Sequence, residues 1–281
     1  MVVSSARHHV TPSELWEAHF QNSLANPPAI PWESPLLASP AQIVTVATSI
    51  QEFQLGEQSE GRHLIRVAEE YARRSGDRAY VRALRLFIRE EQGHAALLGR
   101  FMDQTGIPRI RHNWVDAVFR RLRRLAGLEM SICVLLTAEV IAKIYYRALL
   151  LATDAAALRE ICRRILEDET HHVRFQSERL AILRKKRPPW ASGAVVFLQR
   201  MLFAGASLVV WGHHRPVLRG AGLTFRGFWK EAQDEFHWSL DLMNPDRYEW
   251  RMTPSGRPSS GDAKTARDRN DLAGCILQKR A

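Results

Sequence analysis

Between residues 43 and 185 apolar residues recur with the 3.6-residue period of an α-helix, and Pro108 is the only proline. This pattern predicts an all-α protein built around four long helices. Short polar segments that can end one helix and cap the next lie at Ser75-Gly76-Asp77 and at Thr153-Asp154. The four predicted helices therefore span residues 43–74, 78–104, 128–152 and 155–186.

A longer connection of some 20 residues separates the second predicted helix from the third, and a short helix is expected within it near residues 114–125. Two antiparallel hairpins joined by one long connection form a four-helix bundle with a crossover. Two more helices are expected at residues 190–211 and 224–241. These are rich in aromatic residues, which fits a cover that lines an apolar substrate channel or, alternatively, additional core or a dimer face.

The remaining segments complete a four-part organisation. Residues 1–42 are rich in Pro, Ser and Ala without a sustained period, so we expect an extended arm. Residues 43–187 form the bundle, and residues 188–250 supply covering helices of the same domain. Residues 251–281 are polar and basic, which predicts a disordered tail.

Candidate chemistry lies on the inward stripes of the predicted helices. The second helix places Glu91 and His94, and the fourth Glu169 and His172, in the middle of an otherwise apolar face. Residues three apart on a helix project side by side. Each pair can therefore offer one metal ion a carboxylate oxygen and an imidazole nitrogen. The third helix adds Glu139 from an almost entirely apolar sequence.

Two glutamates of the first helix, Glu57 and Glu60, are candidates for the remaining carboxylate. In an antiparallel hairpin, residues equally far from the turn lie at the same height, and this argument puts Glu60 level with Glu91. Glu57 would lie about 4.5 Å further along the helix. We therefore favour Glu60 as the ligand, with Glu57 as the alternative or as a supporting residue.

Four carboxylates and two histidines in an apolar core need a counter-charge, because unpaired buried charges are very costly. Two divalent ions would make the site neutral. Oxygen-rich ligation with one imidazole for each metal suits iron or manganese better than zinc or copper. The residues therefore predict two divalent ions, iron or manganese, and a mixed Mn/Fe site is one alternative.

Four segments resemble the helices of ferritin-like di-iron carboxylate proteins, over about residues 43–185. The segments are LGEQSEGRHLIRVAEEYA, FIREEQGHAALLGRF, LLTAEVIAKIYYRAL and ILEDETHHVRFQ. The resemblance implies an oxidase or oxygenase with O₂ as co-substrate, and it implies that Glu91 and Glu139 are the bridging ligands. The iron ligands it implies are Glu60, Glu91, His94, Glu139, Glu169 and His172. About 60 additional residues after position 188 depart from simple ferritins.

Several residues near the predicted ligands could have a functional role or a purely structural one. Asp168 could orient a ligand histidine. His171 could be an extra ligand, as in the arylamine N-oxygenase branch, or a polar contact at the helix edge. His63 could form a hydrogen bond near the site or lie on the helix surface. Tyr145 and Tyr146 invite a radical role, although aromatic residues on an inward stripe are more often core.

Composition limits the other classes. Three cysteines lie far apart among 281 residues, which excludes a disulfide framework and a rubredoxin-like module. The N-terminus has no apolar signal region. The longest apolar stretch, 194–211, is interrupted by Gln199 and Arg200, so we expect no membrane span and a cytoplasmic location. The net charge of +10 is spread over helices and the tail, apart from one dense cluster at 120–124, so a nucleic-acid partner is not favoured.

The sequence thus predicts a di-iron oxidoreductase that uses O₂ to hydroxylate, N-oxygenate or desaturate a small organic substrate. No electron-transfer module is recognisable, so an external donor such as a reductase or ferredoxin is expected, and a homodimer is possible. One alternative is a ferroxidase or peroxide-scavenging protein. A second, suggested by charge alone, is a tRNA-directed hydroxylase or a non-enzymatic binding protein.

Overall fold

The computed structural model describes residues 11–34, 39–58, 61–124, 127–185 and 187–248. Their long elements are all helices, and no strand occurs within these ranges, which confirms the predicted all-α class. The helices are α1 Pro12–Ala25, α2 Pro40–Glu57, α3 Arg62–Ser75, α4 Arg78–Thr105, α5 Trp114–Arg124, α6 Leu128–Ala152, α7 Ala156–Arg184, α8 Pro189–Gly220 and α9 Phe225–Leu242. A short 3-10 helix, Pro245–Arg247, follows α9.

Local capping explains why several helix bounds were predictable. The Asp77 side chain accepts a hydrogen bond from the Tyr80 backbone N–H at the start of α4. Gly106 ends the same helix with φ of +70°, a conformation that glycine adopts without steric cost. The predicted bounds of α4, α5 and α6 agree with the structure to within one residue at each end.

The expected extended arm is wrong for residues 12–25, which form α1. Thr11 and Glu14 make a reciprocal capping box, and Pro12 occupies the first helical position. Its apolar residues do not follow a clear 3.6-residue period, and only Ser13 and Phe20 are buried. Phe20 is nevertheless completely buried, and α1 packs against α4.

The single first helix predicted over residues 43–74 is also wrong, because the structure contains two helices, α2 and α3. Gly61 precedes α3 in the left-handed conformation, with φ of +60°. A Cβ atom at this position would lie 2.3 Å from Ile88 Cδ1, so the close approach to α4 requires glycine as well. As a result, Glu57 becomes the last residue of α2.

Four helices form a closed ring of contacts in which α3 touches α4, α4 touches α7, α7 touches α6 and α6 touches α3. Helix α2 packs against α4 and α8, while α8 and α9 both pack against α6. The described residues within 11–248 belong to one compact unit. The predicted basic tail at residues 251–281 lies outside the described part of the chain.

Helix α8 differs from the others in composition. Its segment Ala191–Gly220 is the one helix, among the described residues, that is long and apolar enough to cross a membrane. Length and composition alone do not establish a membrane span, because core helices of soluble proteins can share both properties. The expected absence of a membrane span therefore stays a prediction.

Candidate metal centre

Three helices bring four potential metal ligands together inside the protein. Glu57 comes from the end of α2, Glu91 and His94 from the middle of α4, and Glu169 from α7. One ligand atom from each of these residues lies within 4.8 Å of the corresponding atoms of the other three. The structure thus contains a buried Glu/His cluster that could hold a metal ion, here called the acidic cluster.

His172 and Glu139 extend the acidic cluster. His172 Nδ1 lies 2.8 Å from Glu91 Oε1 and 3.7 Å from Glu169 Oε2. His94 Nδ1 lies 4.0 Å from the same oxygen, Glu91 Oε1. One oxygen of Glu91 is therefore near both imidazoles. Glu139 of α6 is buried, and the charges of Glu169 and Glu91 act on it.

Two crossed contacts between α4 and α7 orient the histidine rings. His94 Nε2 lies 3.0 Å from Asp168 Oδ2, and His172 Nε2 lies 2.8 Å from Glu90 Oε2. Each histidine is thus held by the acid that precedes the glutamate on the opposite helix. If each Nε2 keeps its proton when a metal ion binds, each Nδ1 would offer its lone pair to that ion.

Several buried polar atoms of the site have no hydrogen-bond partner within the described residues. They are His94 Nδ1, both carboxylate oxygens of Glu139 and Glu169 Oε2, whereas Glu91 Oε1 and His172 Nδ1 have only each other, at 2.8 Å. All belong to residue types that ligate metals, and unpaired buried polar atoms are rare in folded proteins. Metal–ligand bonds of about 2.0–2.2 Å allow two ligands of one ion to lie up to about 4.3 Å apart. The measured separations of 2.8–4.0 Å between these imidazole and carboxylate atoms fit that limit.

Protonation within the acidic cluster reflects crowding of like charges. Burial raises the pKa of Glu57 and Glu139 well above the usual value, and neighbouring carboxylates add to the effect. Burial alone would raise the pKa of Glu91 too, but His172 and His94 outweigh it and lower the pKa to about 2. Burial would lower the pKa of His172, yet the surrounding carboxylates raise it well above its usual range. In the metal-free protein, bound protons therefore reduce the negative charge of the cluster, as metal cations would do when bound.

Aromatic residues enclose the cluster. The rings of Phe87 and Phe20 lie 4.6 Å and 6.0 Å from the His172 ring, measured between centroids. On the α2 side, the Tyr146 hydroxyl donates a 2.6 Å hydrogen bond to Glu57 Oε1. The surroundings are therefore dry and apolar, with one phenol in direct contact with the carboxylates.

Most of the predicted site residues lie close together, but two supporting residues lie elsewhere. His171 faces α1, where its ring centroid lies 4.3 Å from that of His19 in a tilted contact, and burial together with His19 lowers the pKa of His171 to about 4. His63 Nδ1 lies 3.1 Å from Arg66 Nη2 on the same helix. Glu60 lies outside the described residues. The height argument that favoured it assumed an unbroken first helix, whereas the structure brings Glu57 into the cluster.

Sequence reasoning missed Glu90 and Arg164. Glu90 is the counterpart of Asp168, and the doubled acids before both Glu-x-x-His motifs were a visible signal for both residues. Arg164 Nε donates a 2.7 Å hydrogen bond to Asp168, and its guanidinium also contacts the Ser23 hydroxyl of α1. Its position four residues before Asp168 is the helical spacing of an ion pair. Phe20 was missed because α1 itself was not predicted.

Comparisons of the chain with protein-family models, with curated proteins and with solved structures give no match. The structure itself defines the protein as an all-helical protein with a buried cluster of carboxylates and histidines that could hold a metal ion.

Proposed function

We propose that this protein is a ferritin-like di-iron carboxylate oxidoreductase that uses O₂ to oxidise a small organic substrate. The observation that carries the proposal is the acidic cluster, in which two oriented imidazoles and several carboxylates crowd together in the protein interior, and most of their ligand atoms have no conventional partner. A structural core gains nothing from such a group, because burying it without compensation is costly.

The donor set suits a two-metal site. Glu57, Glu91, His94 and Glu169 would hold one ion, and His172 with Glu91, Glu139 and Glu169 the other. Glu91 approaches both imidazoles, which supports a bridging role for its carboxylate. Oxygen-rich ligation with one imidazole for each ion favours iron or manganese. When bound, such a pair supplies O₂ activation and redox chemistry that no amino-acid side chain provides.

The protein's own residues would prepare the site in two ways. Asp168 and Glu90 hold the imidazole protons at Nε2, which keeps both rings in the ligating tautomer. Phe20 and Phe87 exclude water, which strengthens electrostatic interactions inside the site and protects reactive species. Electrons would come from a separate donor.

Two alternative functions, a ferroxidase and a tRNA-directed protein, can be compared with this proposal. A ferroxidase would use the same ligands, so only its turnover distinguishes it. A tRNA-directed function rested on the basic cluster at 120–124. Arg120 of that cluster donates a 2.6 Å hydrogen bond to Asp116, and Arg123 is only partly exposed, with a pKa lowered by burial. These arginines do not form a uniformly exposed patch, so we favour the organic substrate.

Anaerobic loading with Fe(II) followed by O₂ tests the proposal. We expect oxidation to saturate at about two irons for each chain, with further O₂ uptake only when a reductant and an oxidisable substrate are present. Substrates would be screened for products that gain an oxygen atom or lose two hydrogens. Continued oxidation of excess Fe(II) would instead establish a ferroxidase.

Adjacent histidines provide the matched control. His172→Ala removes a candidate ligand and should abolish the oxidation, whereas His171→Ala removes a ring that contacts His19 of α1 and should preserve it. Wild-type activity in both variants would contradict the assignment. Loss in both would revive His171 as an additional ligand.

A further inference from the structure

The outward face of α8 carries an apolar stripe that the bundle leaves exposed. The stripe consists of Ala194, Phe197, Leu198, Met201, Gly205, Leu208 and Gly212, all exposed. Phe197 is 61% exposed and Met201 is 58% exposed, although buried environments are typical of both residue types. The three- and four-residue spacing places these side chains on one face over about 27 Å.

The opposite face of α8 is fixed to the protein. Phe203 stacks on Phe236 of α9 with ring centroids 4.3 Å apart, and His214 Nδ1 lies 2.9 Å from the Ser49 hydroxyl of α2. Near the start of α8, Gln199 accepts a 3.0 Å hydrogen bond from Arg184. Because α8 is anchored along its length, it can present the stripe sideways to a surface but is not free to cross a bilayer alone.

All formal charges on α8 have one sign. The helix contains no Asp or Glu, and its arginines are Arg200, Arg215 and Arg219. Arg215 and Arg219 are exposed and continue the stripe beyond Gly212 with the same helical spacing. The face is therefore apolar for most of its length and cationic at its C-terminal end.

This charge distribution distinguishes between possible occupants. If a second copy docked its α8 in parallel, the two Arg215 and Arg219 pairs would face one another. If it docked antiparallel, the arginines of each copy would approach the N-terminal end of the other copy's α8. That end lies close to the exposed cation Lys185. Either arrangement brings cations together without a carboxylate from α8. An anionic bilayer instead offers acyl chains to the stripe and phosphates to the arginines, which is the combination that interfacial helices use.

We infer that the exposed face of α8 binds the surface of an anionic lipid bilayer. Phe197, Leu198, Met201 and Leu208 enter the boundary between headgroups and acyl chains, and Arg215 and Arg219 bind lipid phosphates. The interaction is peripheral, and it does not depend on the metal-binding proposal.

Co-sedimentation of the full chain with vesicles tests this inference. Wild-type protein should bind vesicles of phosphatidylcholine and phosphatidylglycerol and bind pure phosphatidylcholine more weakly. Phe197→Ser/Met201→Ser should lower the partition coefficient about a hundredfold or more. Arg215→Gln/Arg219→Gln should lower it about 30-fold on anionic vesicles. Leu15→Ser, at an exposed position of α1, is the matched control and should bind as wild type does.

Circular dichroism would verify that each variant remains helical. Wild-type protein that binds neither vesicle type would overturn the inference. Binding that survives Phe197→Ser/Met201→Ser would overturn it too, because another basic segment would then be responsible. A lipid-free dimer in light scattering that becomes a monomer in that variant would assign the face to a second copy instead.

Discussion

The acidic cluster and the outward face of α8 reverse the usual distribution of polarity in opposite directions. The cluster concentrates carboxylates and imidazoles where side chains are almost inaccessible to solvent, with Glu169 only 1% exposed. The α8 face leaves large apolar side chains such as Phe197 in contact with solvent. Folding alone favours neither arrangement, since cores are stabilised by apolar burial and surfaces by polar groups.

The difference shows how to separate function from stability in this protein. Two buried cations elsewhere in the described chain have conventional partners: Arg179 Nη2 donates hydrogen bonds to Asp77 and Ser13, and Lys143 pairs with Glu235. Within the cluster, several ligand atoms have no such partner in the described structure. Substitutions in these two regions are therefore expected to change ligand binding, whereas substitutions in the rest of the bundle are expected to change stability.

Two phenylalanines on α8 give the sharpest contrast in stability. Phe203 is 1% exposed and stacked on Phe236, so Phe203→Ala should lower the free energy of unfolding by about 3–5 kcal/mol. Phe197→Ala should change it by less than about 0.5 kcal/mol, because the side chain already contacts solvent. Urea denaturation would measure both values. Similar losses in the two variants would show that the stripe is part of the folded core.

Removing a cluster carboxylate should stabilise the metal-free protein. Glu139→Leu replaces a buried acid that has no partner with an apolar side chain, and should raise the free energy of unfolding by about 1–4 kcal/mol. The same substitution should reduce metal binding, which would demonstrate that Glu139 is retained for a ligand. Glu139→Gln is the polar control. A metal-free Glu139→Leu variant that is less stable than wild type would contradict this interpretation.

The metal-free protein should also lose stability as pH rises from 7 to 8.5. Glu57, Glu139 and His172 have raised pKa values in the folded state, so the folded protein holds protons that the unfolded chain has released. Each such proton contributes a slope of about 1.4 kcal/mol for each pH unit. His171 and His214, whose pKa values are lowered to about 4, are neutral in both states above pH 7 and do not offset this loss.

Metal binding should show the opposite pH dependence, because cations displace these protons and bind more tightly as pH rises. Calorimetry in buffers of different ionisation enthalpy would count the protons released. Stability of the metal-free protein that rises between pH 7 and 8.5 would contradict the assigned protonation states.

The crossed contacts should affect affinity less than the ligands do. Asp168→Asn and Glu90→Gln preserve the side-chain shape but weaken the acceptors that orient His94 and His172. Each should reduce iron affinity about 10–100-fold in competition with a chelator. Glu167→Gln, on the exposed side of α7, should leave the affinity unchanged. Unchanged affinity in all three variants would show that the ring orientation does not depend on these acids.

Sequence periodicity predicted the long helices well, because α4 and α6 have uninterrupted inward stripes and α4 is also capped at both ends. It failed where the chain departs from that periodicity. Gly61 breaks the first predicted helix through a left-handed conformation and close contact with Ile88, which only the packing against α4 requires. Helix α1 buries few residues, so its capping box was the only strong signal.

For the site, spacing along the sequence predicted the Glu-x-x-His pairs, since both residues of each pair share one helix face. Contacts between different helices were harder to predict from the sequence. The crossing of Asp168 to His94 and of Glu90 to His172 depends on the relative height of α4 and α7. The position of Glu57 depends on where α2 ends, so the choice between Glu57 and Glu60 could not be made from an assumed continuous helix.

Metal content is the most direct test of the central claim. Protein expressed in iron-rich medium should contain about two irons for each chain, and the Glu91→Ala/Glu169→Ala variant should contain none while keeping its helicity. Manganese and iron in equal amounts would support the site and redirect the chemistry to a mixed-metal oxidase. Wild-type protein that is fully helical yet binds no metal would contradict the account.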